Sequence, residues 1–260
     1  MLTALIYGIV HGLSAIFPIG TRLHQCLLQL LSGQDGAEPG MLLLMDAAVL
    51  VGLVTGCQKY FVRLRRQQAG SRRRGVLSRQ VMMSLIALSI GTGLLMYFTR
   101  NVTLTIPLAA SLFFVNGLVL YISDRMPQGN KDFRNTTPLD TVLVGLSGAL
   151  GAVNLSGIGC ALSACRWRGM SRQYSLMLAM FLAMGIQVWS IVTDFLLLTS
   201  GAGLAFGNML TTLAAAVCSF AATRMSIFGL QQLSMKTGYS CFSYYCWGAG
   251  LLLSILYLTV

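Results

Sequence analysis

The chain has 260 residues, of which 55% are hydrophobic and 10% charged, and its mean hydropathy is +0.72. Soluble domains carry about 25% charged residues, so the composition excludes a soluble globular protein and indicates an all-α integral membrane protein. The net charge of +11 lies in short segments between apolar runs. That pattern reads as membrane orientation rather than as a footprint for nucleic acid, and no nucleic-acid partner is expected.

A crossing helix needs about 20 apolar residues. The first apolar stretch, 1–31, is interrupted by Phe17-Pro18-Ile19-Gly20-Thr21-Arg22. Its start lacks a basic region, an apolar core and a small-residue cleavage site in that order, so the N-terminus is expected to be mature. The first uninterrupted span is 41–58, followed by the segment 59–79 with Lys59, Arg63, Arg65, Arg66, Arg72, Arg73, Arg74 and Arg79, expected to be a cytoplasmic loop. Spans 80–98 and 105–123 follow, with 99–104 outside and 124–137, carrying Arg125, Lys131 and Arg134, inside. A second flawed stretch, 138–165, is broken at Asn154-Leu155-Ser156-Gly157-Ile158-Gly159 and ends near Arg166, Arg168 and Arg172. Spans 174–198, 204–222 and 241–259 complete the chain, with 199–203 outside and 223–240 inside.

Non-helical backbone survives at membrane depth only where protein or a water-filled cavity covers it. Both flawed stretches are therefore expected to be re-entrant helical hairpins, and counting either as a crossing would break the charge pattern. The expected architecture is six transmembrane helices plus two hairpins in an inverted repeat. Residues 1–123 form the first unit, 124–137 a cytoplasmic linker and 138–260 the second unit. Broken helices in inverted repeats meet near the midplane and build a polar site there. The seven cysteines include no C-x-x-C pair and read as apolar packing residues.

Of seven acids, Asp46 and Asp194 fall inside spans, where an ionisable residue is a functional candidate. Asp46 is expected to face the cavity and pair with Arg22, whereas Asp194, near the end of its span, is expected to reach the interface. His11 and His24 flank the first break as acid–base candidates. If a helix opens at Gly20, its free N–H groups with Thr21 and Arg22 would form an anion site. Asn154, Ser156, Gly157 and Gly159 offer a second nest of that kind, or simply a bend made of small residues.

The run Gly8 to His24, GIVHGLSAIFPIGTRLH, resembles the first signature of the bacterial undecaprenyl-diphosphate phosphatase (bacitracin-resistance) family, approximately G-x-x-E-G-x-x-E-F-L-P-[IV]-S-S-T-G-H. Asn154 to Arg172, NLSGIGCALSACRWRGMSR, is similar to that family's P-G-x-S-R-S-G-A-T segment with its following G-[LV]-S-R. The resemblance keeps Gly12, Pro18, His24, Ser156, Gly159, Gly169, Ser171 and Arg172. It places His11 and Ala15 where the family has catalytic glutamates, Gly157 where it has an arginine, and Gly20-Thr21-Arg22 where it has Ser-Ser-Thr.

What the resemblance implies is hydrolysis of the terminal phosphate of a polyprenyl diphosphate, aided by Mg²⁺, in the bacterial inner membrane. Both chain ends would lie on the outer side, and a homodimer is a compatible assembly. On that reading His24, Thr21 and His11 are the catalytic candidates. Arg22, Ser156, Gly157 and Gly159 are the candidates for binding phosphate, and Asp46 is the one acid near enough to replace a lost metal ligand. Mg²⁺ prefers carboxylate and phosphate oxygens, so the replaced glutamates leave two alternatives open beside an active phosphatase. They are a non-catalytic carrier of polyprenyl phosphate and a membrane scaffold subunit.

Overall fold

A long apolar run inside a membrane has no water for its backbone, so its N–H and C=O groups must pair within a helix. The computed structural model describes residues 1–33, 37–69, 75–199, 208–236 and 238–259. In chain order these form α1 (Leu2–Ile16), α2 (Thr21–Ser32), α3 (Pro39–Gly56), α4 (Gln58–Ala69), α5 (Val76–Thr99), α6 (Ile106–Arg125), α7 (Pro138–Gly148), α8 (Gly157–Trp167), α9 (Arg172–Thr199), α10 (Met209–Lys236) and α11 (Ser240–Thr259). A 3₁₀ turn, Ala149–Val153, separates α7 from α8.

Among the described residues six helices, α3, α5, α6, α9, α10 and α11, are long and apolar enough to cross a membrane. They coincide with the six expected spans, with two corrections between them. Of the segment expected as a basic loop after the first span, residues 59–69 belong to the helix α4 and 76–79 to α5, because Lys, Arg and Gln are good helix formers, while 70–74 lie outside the described residues. Likewise α10 continues to Lys236 through most of the expected loop 223–240. The predicted start of that span, 204–207, lies outside the described residues.

Small residues bring the helices together. α1 packs on α10 and α7 on α5. A Cβ added at Gly8 would lie 2.2 Å from the Ala215 carbonyl oxygen, and one at Gly145 would lie 2.2 Å from that of Ser84. Glycine is what permits these backbone approaches, the usual device where helices meet in lipid. α3 packs on both α9 and α10, α5 on α9, and α6 on α11. A core of Ile16, Leu23, Val49, Phe113, Leu162 and Met180 ties the first helices to α8 and α9, and a second core of Leu88, Val144, Ala161, Leu178 and Leu182 lies under α7.

α7 is entered through a capping box: the Asp140 N–H donates to Thr137 Oγ1 (3.2 Å) and the Thr137 N–H to Asp140 Oδ2 (3.1 Å). Arg168 Nε donates to Asp140 Oδ1 at 2.5 Å, and Lys131 Nζ approaches Oδ2 at 3.5 Å. The linker is stitched to the turn after α8, where the Lys131 N–H donates to the Gly169 carbonyl (3.0 Å) and the Ser171 N–H to that of Lys131 (2.9 Å).

Candidate anion site

Two breaks in the helices position the site. Proline biases the residue before it away from helix, and Phe17 is extended at φ −68°, ψ 145°. Gly20 then takes φ +84°, a region that favours glycine, and α2 restarts at Thr21 with no side chain capping it. At the second break Asn154 adopts φ +66°, and α8 opens at Gly157 with Ser156 Oγ accepting from the Gly159 N–H at 3.1 Å. The two breaks touch, since a Cβ added at Gly159 would stand 3.1 Å from Pro18 Cβ.

One side chain holds both. Asn116 of α6, fully buried, donates from Nδ2 to the Pro18 carbonyl (2.9 Å) and accepts on Oδ1 from the Ser156 N–H (3.3 Å). Each bond occupies a backbone group that a broken helix leaves unpaired. The sequence reading overlooked Asn116. Its signal was an amide in the middle of an otherwise apolar span.

Between the breaks lies a cavity of about 130 Å³ bordered by Gly20 to Arg22 and by Asn154 to Ile158, with His11, Asp46 and Gln187 on its wall. The first turns of α2 and α8 both reach it, so backbone N–H groups without intrahelical partners, and the positive ends of two helix dipoles, border one space. Thr21, Arg22, His11, Ser156 and Gly157 of the sequence candidates all line it, as does Ala15. Gly159 stands behind them against Pro18.

The charges pair differently from the sequence expectation. Asp46 does line the cavity, but its Oδ1 accepts from His11 Nε2 (2.8 Å) and from Gln187 Nε2 (2.5 Å). Arg22 Nη2 instead donates to Asp194 Oδ1 at 3.0 Å. Asp194 is 1% exposed rather than at the interface, because it stands two turns after Gln187 on the inward face of α9. His11 Nδ1 accepts from the Gln25 amide at 3.0 Å, so both ring nitrogens are engaged. Gln25 and Gln187 were also missed. Gln25 shares a face of α2 with Arg22, three residues before it.

His24 is not brought to this cavity. Its Nδ1 donates to the Gly20 carbonyl (2.7 Å) and its Nε2 bonds the Tyr245 hydroxyl (2.9 Å), with the two rings stacked at 5.6 Å. It lines a separate apolar cavity of about 360 Å³ together with Phe17, Phe242 and Tyr245. The wall of that cavity includes Ser14, which also borders the polar one.

The donor set does not suit Mg²⁺. A hard divalent cation wants several free carboxylate or phosphate oxygens. Among the described residues no three His, Cys, Asp or Glu side chains come together to hold an ion. Asp46 Oδ1 is already shared by two N–H donors and Asp194 Oδ1 is held by Arg22.

Residues 4–252 match the family described as Bacitracin resistance protein BacA. The chain belongs to this family. An undecaprenyl-diphosphatase of Carboxydothermus hydrogenoformans is 24% identical over 255 residues, 97% of this chain and 96% of the relative. Another from Desulforudis audaxviator is 31% identical over 175 residues, covering 65% of this chain and 66% of the relative. Undecaprenyl-diphosphatase 3 of Bacillus cereus is 25% identical over 262 residues, 99% and 98% of the two chains. In this BacA-family chain the match runs through both helix breaks and five of the six candidate spans, and ends within α11.

Proposed function

We propose that this BacA-family protein binds the phosphate headgroup of a polyprenyl (di)phosphate lipid in the cavity between its two helix breaks, and that it binds or carries this lipid without metal-dependent hydrolysis. The observation that carries the reading is Arg22, whose side chain is 40% exposed on a cavity that two helix N-termini also border. A guanidinium facing unpaired backbone N–H groups is a site for a phosphate. The relatives' names supply the lipid class. The neighbouring apolar cavity gives an isoprenoid chain somewhere to lie.

Hydrolysis has less support. Neither imidazole has a ring nitrogen left for Thr21, since both nitrogens of His11 and of His24 are engaged, and the donors do not suit Mg²⁺. The test is phosphate release from undecaprenyl diphosphate by the purified protein, with Mg²⁺ and with a chelator. No release above background is expected in either, and Mg²⁺-dependent turnover would overturn the reading. A second reading, hydrolysis without metal, is favoured by the His11–Asp46 contact at 2.8 Å, an imidazole oriented by a carboxylate. Release that persists in chelator and is lost in His11→Gln would establish it.

The same proposal includes two re-entrant hairpins, α1–α2 and α7–α8, in an inverted repeat of units 1–123 and 138–260 joined by the linker 124–137. The packing supports this, because exchanging the halves turns α1 on α10 into α7 on α5, and α3 on α10 into α9 on α5, while α3 on α9 and α6 on α11 map onto themselves. The charge pattern supports both termini on the outer side, and the family resemblance supports a bacterial inner-membrane location.

A further inference from the structure

Arg22, the group on which the proposed headgroup site rests, is not free: Asp194 Oδ1 holds it at 3.0 Å. The partners are unequally placed, with the Arg22 side chain 40% exposed and that of Asp194 1% exposed. Asp194 Oδ2 is also buried with no hydrogen-bond partner among the described residues. A phosphate entering the cavity therefore meets a guanidinium already neutralised by an internal carboxylate. It can form charge-assisted bonds to Arg22 only by taking that carboxylate's place.

We propose that Asp194 is an internal counter-ion that the lipid phosphate displaces from Arg22, and that the released carboxylate takes up one proton, so that headgroup binding is linked to proton uptake. The inference rests on the headgroup reading given above. The balance is simple. One Arg22–carboxylate contact breaks and one Arg22–phosphate contact forms, and a proton from bulk water ends on the Asp194 carboxyl. A buried carboxylate stripped of its cation is too costly to remain ionised.

The proton has a place to sit. Asp194 Oδ2 is buried and has no hydrogen-bond partner among the described residues, so a proton can sit there, and a neutral carboxyl in that position costs less than an unpaired anion. The titratable groups around Asp194 are Asp46 from α3, His11 from α1 and Arg22 from α2. α5, α7 and α8 border the cavity with Thr92, Gly148 and Ser156, none of them charged. Arg224 of α10 lies beside Gly56, about 15 Å along α3 from Asp46 at the helical rise.

The experiment is calorimetric titration of the purified protein with a polyprenyl monophosphate near pH 8, in two buffers of different ionisation enthalpy. At that pH the ligand is already a dianion, its second pKa being about 6. Wild type is expected to take up about one proton per ligand bound, with affinity falling toward tenfold per pH unit as pH rises. Asp194→Asn, which keeps the shape and removes the charge, is expected to bind about tenfold more tightly and to take up about one proton fewer. The wild-type proton count needs no variant and stands if Asp194→Asn fails to fold. Binding by wild type without proton uptake, or an Asp194→Asn protein that binds no more tightly, overturns the counter-ion inference and leaves the headgroup reading intact. Failure of both proteins to bind overturns both.

Discussion

At the first break, between α1 and α2, the cavity is met by side chains that carry or exchange charge, His11 and Arg22, with the Gln25 amide beside them, and they are answered from α3 and α9 by Asp46 and Asp194. At the second, between α7 and α8, it is met by Asn154, Ser156 and the backbone of Gly157 and Ile158, with no charge. Both breaks open a helix toward the same space, and Asn116 ties one to the other. The contrast separates two contributions to anion binding. Backbone donors are fixed once the fold places a helix N-terminus, whereas the positive charge can sit on either side. Here it sits on the first break at Arg22. The family signature that this chain resembles has an arginine on the second, where Gly157 stands.

The tie between the breaks is the most consequential single contact to remove. Asn116→Leu fills the space but leaves the Pro18 carbonyl and the Ser156 N–H unpaired, at about 1–3 kcal/mol each. Thermal unfolding in detergent is expected to show a loss of about 2–6 kcal/mol. An unchanged melting temperature would mean that the breaks are held independently.

Moving the charge to the other break should cost nearly as much. A Cβ at Gly157 would lie 2.7 Å from the Gly148 carbonyl oxygen and 2.8 Å from Ile186 Cδ1, so Gly157→Arg must shift the second break. A loss of about 1–3 kcal/mol is expected, and Arg22→Thr combined with it should not recover phosphate binding. Full stability with restored binding would show that the two breaks are interchangeable.

The smallest effect concerns how the hairpins are entered. α1 begins without a side-chain cap, while α7 begins on the Thr137–Asp140 capping box. Burial alone would raise the Asp140 pKa. The Thr137 N–H, then the Arg168 guanidinium, outweigh it and hold the carboxyl below its ordinary value of 3.8. A carboxyl lowered on folding contributes stability that is present in full above that ordinary value and is lost as pH falls through the lowered one. The contribution is about 1 kcal/mol or less, because Arg168 and Lys131 are near 40% exposed and water screens them. Stability followed from pH 6 to pH 3 should fall more steeply in wild type than in Asp140→Asn. Parallel curves would mean that the cap does not distinguish the second hairpin.

Much of the frame was legible before any coordinates. Six apolar runs, a proline-glycine break and a glycine-rich break are one-dimensional signals, and they located the helices and both cavity walls. What escaped depended on rotation and on distance along the chain. Arg22 and Asp194 are 172 residues apart, and the sequence supplied two intramembrane acids without saying which one Arg22 would meet. His24 and Arg22 are two residues apart on α2, and their spacing turns them to different sides of a helix, which sends one to the polar cavity and the other to Tyr245. α4 was missed because a hydropathy scan sees only its charge, and Asn116 because a single amide barely alters the mean of an apolar span.

The central claim is that this cavity recognises phosphate through Arg22 without a metal. Its most direct test is equilibrium binding of a polyprenyl monophosphate to the purified protein in excess chelator, wild type beside Arg22→Ala. The account predicts binding that chelator leaves unchanged and that Arg22→Ala weakens about ten- to a hundredfold. Binding that requires added Mg²⁺, or that Arg22→Ala leaves intact, would contradict it.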